Sequence, residues 1–285
     1  VKRIEGEDAF LAGLLHDLGK VVFDDHLNKD YRKVLQRAGT EGLRMARAEQ
    51  ELFAMDHAFL GARVGENWHL PRAITEAIEG HHRPFVAREE DDKHEVTLAQ
   101  LTTMGNSIIK AMGAGHSGDF YVDDLPVLEW QRVLTRLEVI PNYTEIIRKD
   151  LGEFADMLGI STDKSGLRIQ VRKKDRNVSV VPDGLGPLLA FFFTARGFDV
   201  RFVPWQDIPG AKGDVAADAR GMPDEMVRAL RDPEAFWGRH VFLLSDEEVS
   251  AIADTVHLIR PANDFFRLEQ VFQEISQNTP ASPGA

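Results

Sequence analysis

The amino-acid sequence predicts two domains of different fold class, an all-α domain followed by an α/β domain with a doubly wound parallel sheet. Two observations predict this division. From residue 7 to about residue 160, apolar residues recur at helical spacing. From residue 177 to residue 277, short apolar runs alternate with helical segments, as in successive strand–helix–strand units. The 285 residues are enough for two separate cores.

Composition sets the predicted domain boundaries at 1–160 and 177–277. The polar residues 161–176 between them are predicted to be a linker that contains one strand. The tail 278–285 is rich in Pro, Ser, Gly and Ala, and we expect it to be disordered.

The first predicted helix is apolar on nearly all sides, so we expect it to be one central, buried helix. The residues that encircle it are Phe10, Leu11, Leu14, Leu15, Leu18, Val21 and Val22. Asp56 is the predicted cap of a later helix, in which Gly61 and Gly65 would allow a neighbouring backbone to approach. Including that helix, the sequence predicts helices over 41–54, 58–68, from Pro71 to about Gly80, 95–112 and 126–158.

The second part of the chain alternates between the two kinds of element. Strands are predicted over 178–181, 199–203, 214–217, 241–244 and 256–259. Helices are predicted over 185–196, 226–231, 246–253 and 264–275. This alternation predicts a parallel sheet with helices packed on it.

Composition excludes several classes of function. The formal net charge of −12 argues against general nucleic-acid binding, which needs a basic face. The absence of cysteine removes disulfides, thiol catalysis and cysteine-ligated zinc. We expect no signal peptide, because residues 1–7 are mostly charged, and no membrane span, because no apolar run is long enough. A cytoplasmic location is the resulting expectation.

The stretch LLHDLGK, residues 14–20, places His16 and Asp17 side by side in an apolar run, with Lys20 one helical turn further on. Three more histidines follow at helix positions: His57, His81 and His82. Imidazole and carboxylate together suit iron, manganese or zinc, and two such ions activate water for phosphoester hydrolysis. Lys20 would then contact a bound phosphate. The alternative is structural, with Asp17 and Lys20 forming an i, i+3 salt bridge and the paired histidines ending a helix.

Three stretches in this order resemble the HDOD family of bacterial signalling proteins. They are AFLAGLLHDLGKVVF (9–23), MDHAFLGARVGENWHLPRAITEAIEGHH (55–82) and VTLAQLTTMGNSIIKAMGAG (96–115). The family is related to the HD phosphohydrolases and to the HD-GYP cyclic-di-GMP phosphodiesterases, and the resemblance covers about residues 7–158. It implies an all-α HD-like fold in which His16 and Asp17 bind metal. It also implies that His57, His81 and His82 complete a binuclear site.

Three departures from the enzymes weaken the catalytic interpretation. Where active relatives carry a later Asp ligand, this chain has Gln100, and no Gly-Tyr-Pro follows His82. HDOD domains also carry a helical half before the His-Asp motif, and we expect that half to be missing, because the motif begins at residue 16. We therefore expect no metal at full occupancy.

The segments VSVVPDGLGPLLAFFFTARGFDVRFV, GDVAADARGMPDE, HVFLLSDEE and VHLIRPANDFFRLEQVF resemble, in this order, a two-component receiver domain, which has a flavodoxin-like fold. The resemblance implies that Asp218 is the phosphoacceptor, that Asp183 helps to hold Mg²⁺ and that Ser245 is the sensing hydroxyl. Pro182 replaces one acid of the usual pair, and Arg260 replaces the usual Lys. The alternative is a plain α/β domain in which Asp218 is only a strand-end polar residue.

The sequence therefore favours a bacterial signal-transduction protein, an HDOD-type module joined to a degenerate receiver-like domain. It would act by binding other signalling proteins rather than by turnover, and a homodimer is left open. The competing hypothesis is a metal-dependent phosphohydrolase or cyclic-dinucleotide phosphodiesterase that uses the His16–Asp17 motif, with Lys20 on the phosphate.

Overall fold

The chain forms two compact units in the computed structural model. The first unit contains Val1–Ile109 and Gly115–Thr135, and the second contains Lys110–Ala114 and Arg136–Ala285. The structure describes residues 4–41, 43–83, 96–114, 117–119, 121–123, 139–157, 159, 176–230, 232, 234–236, 239–247 and 254–278. Predictions for the linker (161–176), for residues 126–138, for most of the helix at 246–253 and for nearly all of the tail lie outside this description.

The N-terminal part of the chain is helical, as the sequence predicts. Its helices are α1 Gly6–Leu15, α2 Leu18–Glu41, α3 Met45–Phe53, α4 His57–Asn67, α5 Arg72–Gly80 and α6 Leu98–Met112. Asp56 caps α4 as predicted, because its side chain accepts a hydrogen bond from the backbone N–H of Phe59 at 2.8 Å.

The prediction of one central, buried first helix is wrong. The chain turns at His16 and Asp17, which separates α1 from α2. The side chains of Phe10, Leu14 and Val21 are 62%, 54% and 65% exposed. Only the opposite side of the segment packs into a core, which contains Ala12, Ile74, Ala77 and Ile78.

Helix α2 is longer than the sequence pattern suggests, because it continues to Glu41 where a second helix was predicted to begin. Its exposed side is strongly polar, carries His26 and is held by pairs such as Arg37–Glu41. Its buried side is formed by Phe23, Tyr31, Val34 and Ala38. The helix departs from helical geometry at Leu27, where φ is −125° and ψ is 28°.

The two glycines of α4 allow close approach, as predicted. A Cβ atom on Gly61 would lie 3.0 Å from the backbone nitrogen of Gly19 in α2 and 3.1 Å from Ile78 of α5. A Cβ atom on Gly65 would lie 3.1 Å from Thr75 of α5. Gly19 is more tightly enclosed still, because its Cβ would lie 2.0 Å from the carbonyl oxygen of His57.

The second unit contains a five-stranded parallel sheet. Its strands are β1 Asn177–Val180, β2 Asp199–Phe202, β3 Asp214–Asp218, β4 Val241–Leu244 and β5 Val256–Ile259, in the order β2-β1-β3-β4-β5. The helices of this unit are α7 Ile140–Met157, α8 Gly186–Ala195, α9 Asp224–Ala229 and α10 Phe265–Asn278, with a 3₁₀ helix at Trp205–Gly210.

Helices cover both faces of this sheet. On one face Phe193 of α8 lies 5.4 Å from Phe242 of β4 between ring centroids, and Phe272 of α10 lies 6.3 Å from the same ring. On the other face Val215 and Leu243 pack in a cluster with Trp205 and Met226. The doubly wound α/β class is therefore confirmed. Within the described part of the chain, no helix combines the length and the apolarity needed to cross a membrane.

The enclosure of Gly19 gives a stability prediction. Gly19→Ala should destabilise the protein by about 1–3 kcal/mol, because the new methyl group meets backbone atoms that cannot move aside. Gly39 lies on the same helix, and a Cβ atom added there would have no described atom within 4 Å. The control substitution Gly39→Ala should therefore be neutral or stabilise the protein by up to about 1 kcal/mol. Urea unfolding of both variants measures the difference, and equal midpoints would contradict the proposed contact.

Candidate metal centre

Four ligand-type side chains converge where three helix ends meet. Asp17 lies in the turn between α1 and α2, His57 is the first residue of α4, and His81 and His82 follow α5. One ligand atom from each of the four lies within 4.8 Å of the others, so the group could hold a metal ion. His16 stands beside it, with its ring 4.9 Å from that of His81 and its Nε2 3.6 Å from Asp17 Oδ2.

Backbone carbonyls fix the orientation of two of the imidazoles. His16 Nδ1 lies 2.7 Å from the carbonyl oxygen of Gly13, and His81 Nδ1 lies 2.6 Å from that of Ile78. A carbonyl oxygen can only accept a hydrogen bond, so each Nδ1 must carry the proton and each Nε2 keeps its lone pair. This is the arrangement in which metal-binding histidines are held.

Three buried atoms of this cluster are left without hydrogen bonds. Among the described residues, His16 Nε2, His81 Nε2 and Asp17 Oδ1 find no partner. Burial lowers the pKa of His16, and burial with the neighbouring imidazoles holds the pKa of His81 well below its ordinary value. Both rings are therefore neutral at pH 7. Neutral nitrogens without hydrogen bonds, next to an ionised carboxylate with one oxygen not hydrogen-bonded, fit a cation.

A buried carboxylate, Glu49 of α3, holds His57. Its Oε2 lies 2.5 Å from His57 Nδ1 and accepts the backbone N–H of His57 at 2.8 Å. Burial alone would lower the pKa of His57, but Asp17 and Glu49 outweigh it and raise the pKa. Without a metal, the raised pKa favours a second proton on His57 Nε2, which lies 3.3 Å from Asp17 Oδ1 and 3.0 Å from His82 Nε2.

Asp17 is paired with Lys20, as the structural alternative predicts. Lys20 Nζ donates to Asp17 Oδ2 at 2.9 Å and to the carbonyl oxygen of Ser117 at 2.9 Å. Burial alone would raise the pKa of Asp17, but contacts with His57 and Lys20 hold it well below 3.8. The salt bridge therefore uses one oxygen of Asp17, while the other oxygen lies against the histidines, so the two interpretations of the motif are compatible.

Two further carboxylates near the cluster were not predicted from the sequence. Glu49 is fully buried on the face of α3 that also carries Met45 and Ala48, and a carboxylate on such an apolar face was the available signal. Asp123 lies 3.7 Å from His82 Nδ1 and accepts a hydrogen bond from Arg44 at 2.7 Å. No local pattern pointed to Asp123, which is distant in sequence from both partners.

Gln100, which the family resemblance aligns with an acidic ligand of active relatives, takes part in a helix cap. Its side-chain oxygen accepts the N–H of Thr97 at 2.7 Å, and the Thr97 hydroxyl accepts the N–H of Gln100 at 3.2 Å. This reciprocal pair is a capping box at the beginning of α6. Gln100 therefore serves the end of a helix in this structure.

In the second unit, Asp218 lies buried at the carboxyl end of β3, with both oxygens bonded. They accept hydrogen bonds from the backbone N–H groups of Leu185 at 3.0 Å and Arg220 at 3.1 Å, and from Arg220 Nε at 2.9 Å. The sequence reasoning missed Arg220, although it lies only two residues after Asp218. Its guanidinium thus lies directly on the Asp218 carboxylate.

The other receiver-type residues make different contacts. The Ser245 hydroxyl donates to the carbonyl oxygen of Glu247 at 2.7 Å and accepts its N–H at 3.1 Å. Asp183 and Arg260 are exposed. The described hydrogen bonds of the Ser245 hydroxyl therefore remain within its own turn.

Comparisons with known proteins support the HDOD resemblance for residues 1–84, which match the family model described as the HDOD domain. An "Uncharacterized protein" of Treponema pallidum (strain Nichols) is 29% identical over 83 residues, which are 29% of this chain and 16% of the relative. The chain thus aligns with about a sixth of that relative's length. No solved structure matches. The N-terminal region is therefore similar to an HD-related output or regulatory domain, and the family match ends before the α/β unit.

The environment of Asp17 predicts a pH-dependent stability. Because its folded pKa lies below 3.8, ionised Asp17 stabilises the metal-free protein above that pH, and the contribution is lost as the pH falls. Asp17→Asn should cost about 1–3 kcal/mol at pH 7, and the cost should shrink toward pH 3. Urea unfolding with a chelator present measures this. Asp25→Asn, at an exposed position on the following helix α2, is the control, and an unchanged or raised stability of Asp17→Asn would contradict the prediction.

Proposed function

We propose that this chain is a bacterial signal-transduction protein that acts by binding other proteins. Its HDOD-type helical region would hold at most one transition metal ion, and its α/β unit would be a receiver-like domain fixed in one state. The observation that carries the proposal is the convergence of Asp17 with three oriented imidazoles, while Gln100 occupies a helix cap.

The donor set suits a single iron, manganese or zinc ion. His16, His57, His81 and His82 offer nitrogens, and Asp17 offers the one carboxylate oxygen without a hydrogen bond. A bound ion would supply a positive charge that ties these helix ends together. His57 would release its second proton when the ion binds.

Protein binding is supported by the surface next to this centre. The turn that carries Asp17 joins α1 to α2, and these helices present Phe10, Leu14 and Val21 to solvent. Large apolar side chains exposed on adjoining helices are typical of interaction surfaces. An ion held at the turn would fix the angle between the two helices and so the shape of this surface.

Metal titration tests the centre. Zinc binding should saturate near one ion per chain, with less than full occupancy in protein as purified. His81→Ala, which removes a buried nitrogen, should lower the affinity at least about 10-fold. His69→Ala, at an exposed histidine whose ring Nδ1 lies 3.3 Å from the Glu66 carbonyl oxygen, should leave the zinc affinity unchanged. Equilibrium dialysis with elemental analysis measures the zinc affinity of both variants. An equal loss of affinity in the two would contradict the assignment of His81 as a metal ligand.

A second candidate function is phosphohydrolysis, favoured by the ammonium of Lys20 2.9 Å from Asp17, next to the ligand atoms. The same metal titration distinguishes the phosphohydrolase function from the regulatory one. Two ions per chain, together with hydrolysis of a phosphodiester such as bis-p-nitrophenyl phosphate or a cyclic dinucleotide, would replace the regulatory proposal with the enzymatic one.

The receiver-like assignment of the α/β unit is supported by topology. The strand order 2-1-3-4-5 is that of flavodoxin-like folds, whose ligands bind at the carboxyl ends of β1 and β3. Asp218 lies at the end of β3. Arg220 places a positive charge where a receiver would hold Mg²⁺, and Pro182 and Arg260 remove further parts of a phosphorylation site.

We expect this unit not to respond to phosphoryl analogues. In the full chain, Mg²⁺ with beryllofluoride should leave unchanged the NMR amide signals of Leu185 and Arg220, which report on Asp218. Arg220→Ala removes the guanidinium from the Asp218 carboxylate and so frees the carboxylate to bind Mg²⁺. In this variant the Leu185 amide signal should therefore shift when Mg²⁺ is added. Arg201→Ala, at an exposed position on β2, is the control. Beryllofluoride-dependent shifts in the unaltered protein would show a working switch and overturn the proposal.

A further inference from the structure

Glu49 is a buried carboxylate with every oxygen in use. It has no exposed surface, and it lies on α3 beside the aromatic cluster of Phe23, Tyr31 and Phe53. Its Oε2 bonds both the ring Nδ1 and the backbone N–H of His57, and its Oε1 accepts the Tyr31 hydroxyl at 2.9 Å. This chain of contacts runs from α2 through α3 to the first residue of α4.

Such an arrangement is costly for stability alone. An ionised carboxylate in an apolar surrounding loses its hydration, and a packed apolar side chain of similar volume would usually serve stability as well or better. The compensating gain at this position is the control of one imidazole. Two oxygen contacts from the same carboxylate fix both the place of the His57 backbone and the rotation of its ring.

Glu49 also distinguishes His57 from the other two oriented rings. His16 and His81 donate Nδ1–H to neutral carbonyls, whereas His57 donates to a carboxylate. A carboxylate partner makes the opposite nitrogen a stronger donor to a metal. His57 Nε2 lies 3.3 Å from Asp17 Oδ1, at the middle of the candidate ligand group.

We propose that Glu49 is a positioning residue for the metal centre: it holds His57 Nε2 toward Asp17 and His82 and strengthens it as a ligand, and Tyr31 in turn holds Glu49. The inference rests on the proposed metal binding and adds the residue that determines its strength. Glu49 itself does not contact the ion. Its effect is transmitted entirely through the imidazole of His57.

The test compares two variants that cut this chain of contacts at different places. Glu49→Gln keeps the size of the side chain and one acceptor oxygen for His57, but it removes the charge and replaces the other acceptor by an NH2 donor. Tyr31→Phe removes only the hydroxyl and leaves the carboxylate on His57. Zinc affinity is measured by competition with a chromophoric chelator, and folding is checked by circular dichroism and urea unfolding.

Glu49→Gln should weaken zinc binding about 10- to 100-fold, the range known for partners of metal-bound histidines. Tyr31→Phe should lower the urea unfolding midpoint about as much as Glu49→Gln does. It should change the zinc affinity less than about 3-fold, because the contact between Glu49 and His57 persists. The visible spectrum of bound Co²⁺ should change in Glu49→Gln and not in Tyr31→Phe. If Glu49→Gln does not fold, Glu49→Asp, which keeps the charge but withdraws it from the ring, should give the same weakening.

The outcomes separate the two proposals. If the unaltered protein binds zinc and Glu49→Gln, or Glu49→Asp in its place, binds it equally well, the positioning role is overturned while the metal centre stands. If both Glu49→Gln and Tyr31→Phe weaken binding in proportion to their loss of stability, Glu49 is structural and the inference is again overturned. If the unaltered protein binds no zinc, iron or manganese, the proposed metal centre fails, and the role of Glu49 fails with it.

Discussion

Helices α2 and α4 approach each other so closely that a methyl group on Gly19 would lie 2.0 Å from the carbonyl oxygen of His57. This contact sets the distance between Asp17, two residues before Gly19, and the His57 ring. Gly61 extends the same approach, since its missing side chain admits both the Gly19 backbone and Ile78 of α5. The paired histidines follow α5 directly, so these close approaches bring the ligand atoms together before any ion is present.

The charges around the centre favour one bound ion rather than two. In the metal-free protein, the carboxylates of Asp17 and Glu49 face the ammonium of Lys20 and the ring of His57, whose raised pKa favours a second positive charge. One divalent ion that displaced this proton would leave a single excess positive charge, which a bound anion could balance. A second divalent ion would need another carboxylate, and the corresponding position holds Gln100, whose oxygen is engaged with Thr97.

The sequence predicted what depends on local pattern. Asp17 and the histidines could be named because they follow helix signals in a recognisable order, and the five strands because apolar runs mark them. Helix α2 beyond Phe23 was missed because its exposed side is so polar that Tyr31, Val34 and Ala38 were not recognised as a buried stripe. The first helix was predicted as buried because apolar composition does not reveal which side of a helix a neighbour covers.

Residues that act through other residues were the hardest to predict. Glu49 precedes His57 by eight residues. It contacts His57 because α3 ends and the chain turns at Ala54, which has a positive φ of 59°. Arg220 is close to Asp218 in sequence, but a charged residue after a strand is ordinarily solvated, and only the fold shows its guanidinium on a buried carboxylate. Spacing along the chain carries little information about such pairs.

The two acidic centres of this chain balance charge in different ways, and the difference determines which of them can respond to a ligand. Asp218 is neutralised by the guanidinium of Arg220, which is covalently attached two residues away and keeps its charge at any physiological pH. Asp17 pairs with Lys20 through one oxygen, but its other oxygen faces His57, whose raised pKa favours a proton that exchanges with solvent. A metal ion competes readily with a proton and poorly with a tethered arginine. Under the proposed function, the helical unit is therefore the responsive part of the protein, and the α/β unit provides a surface of constant shape.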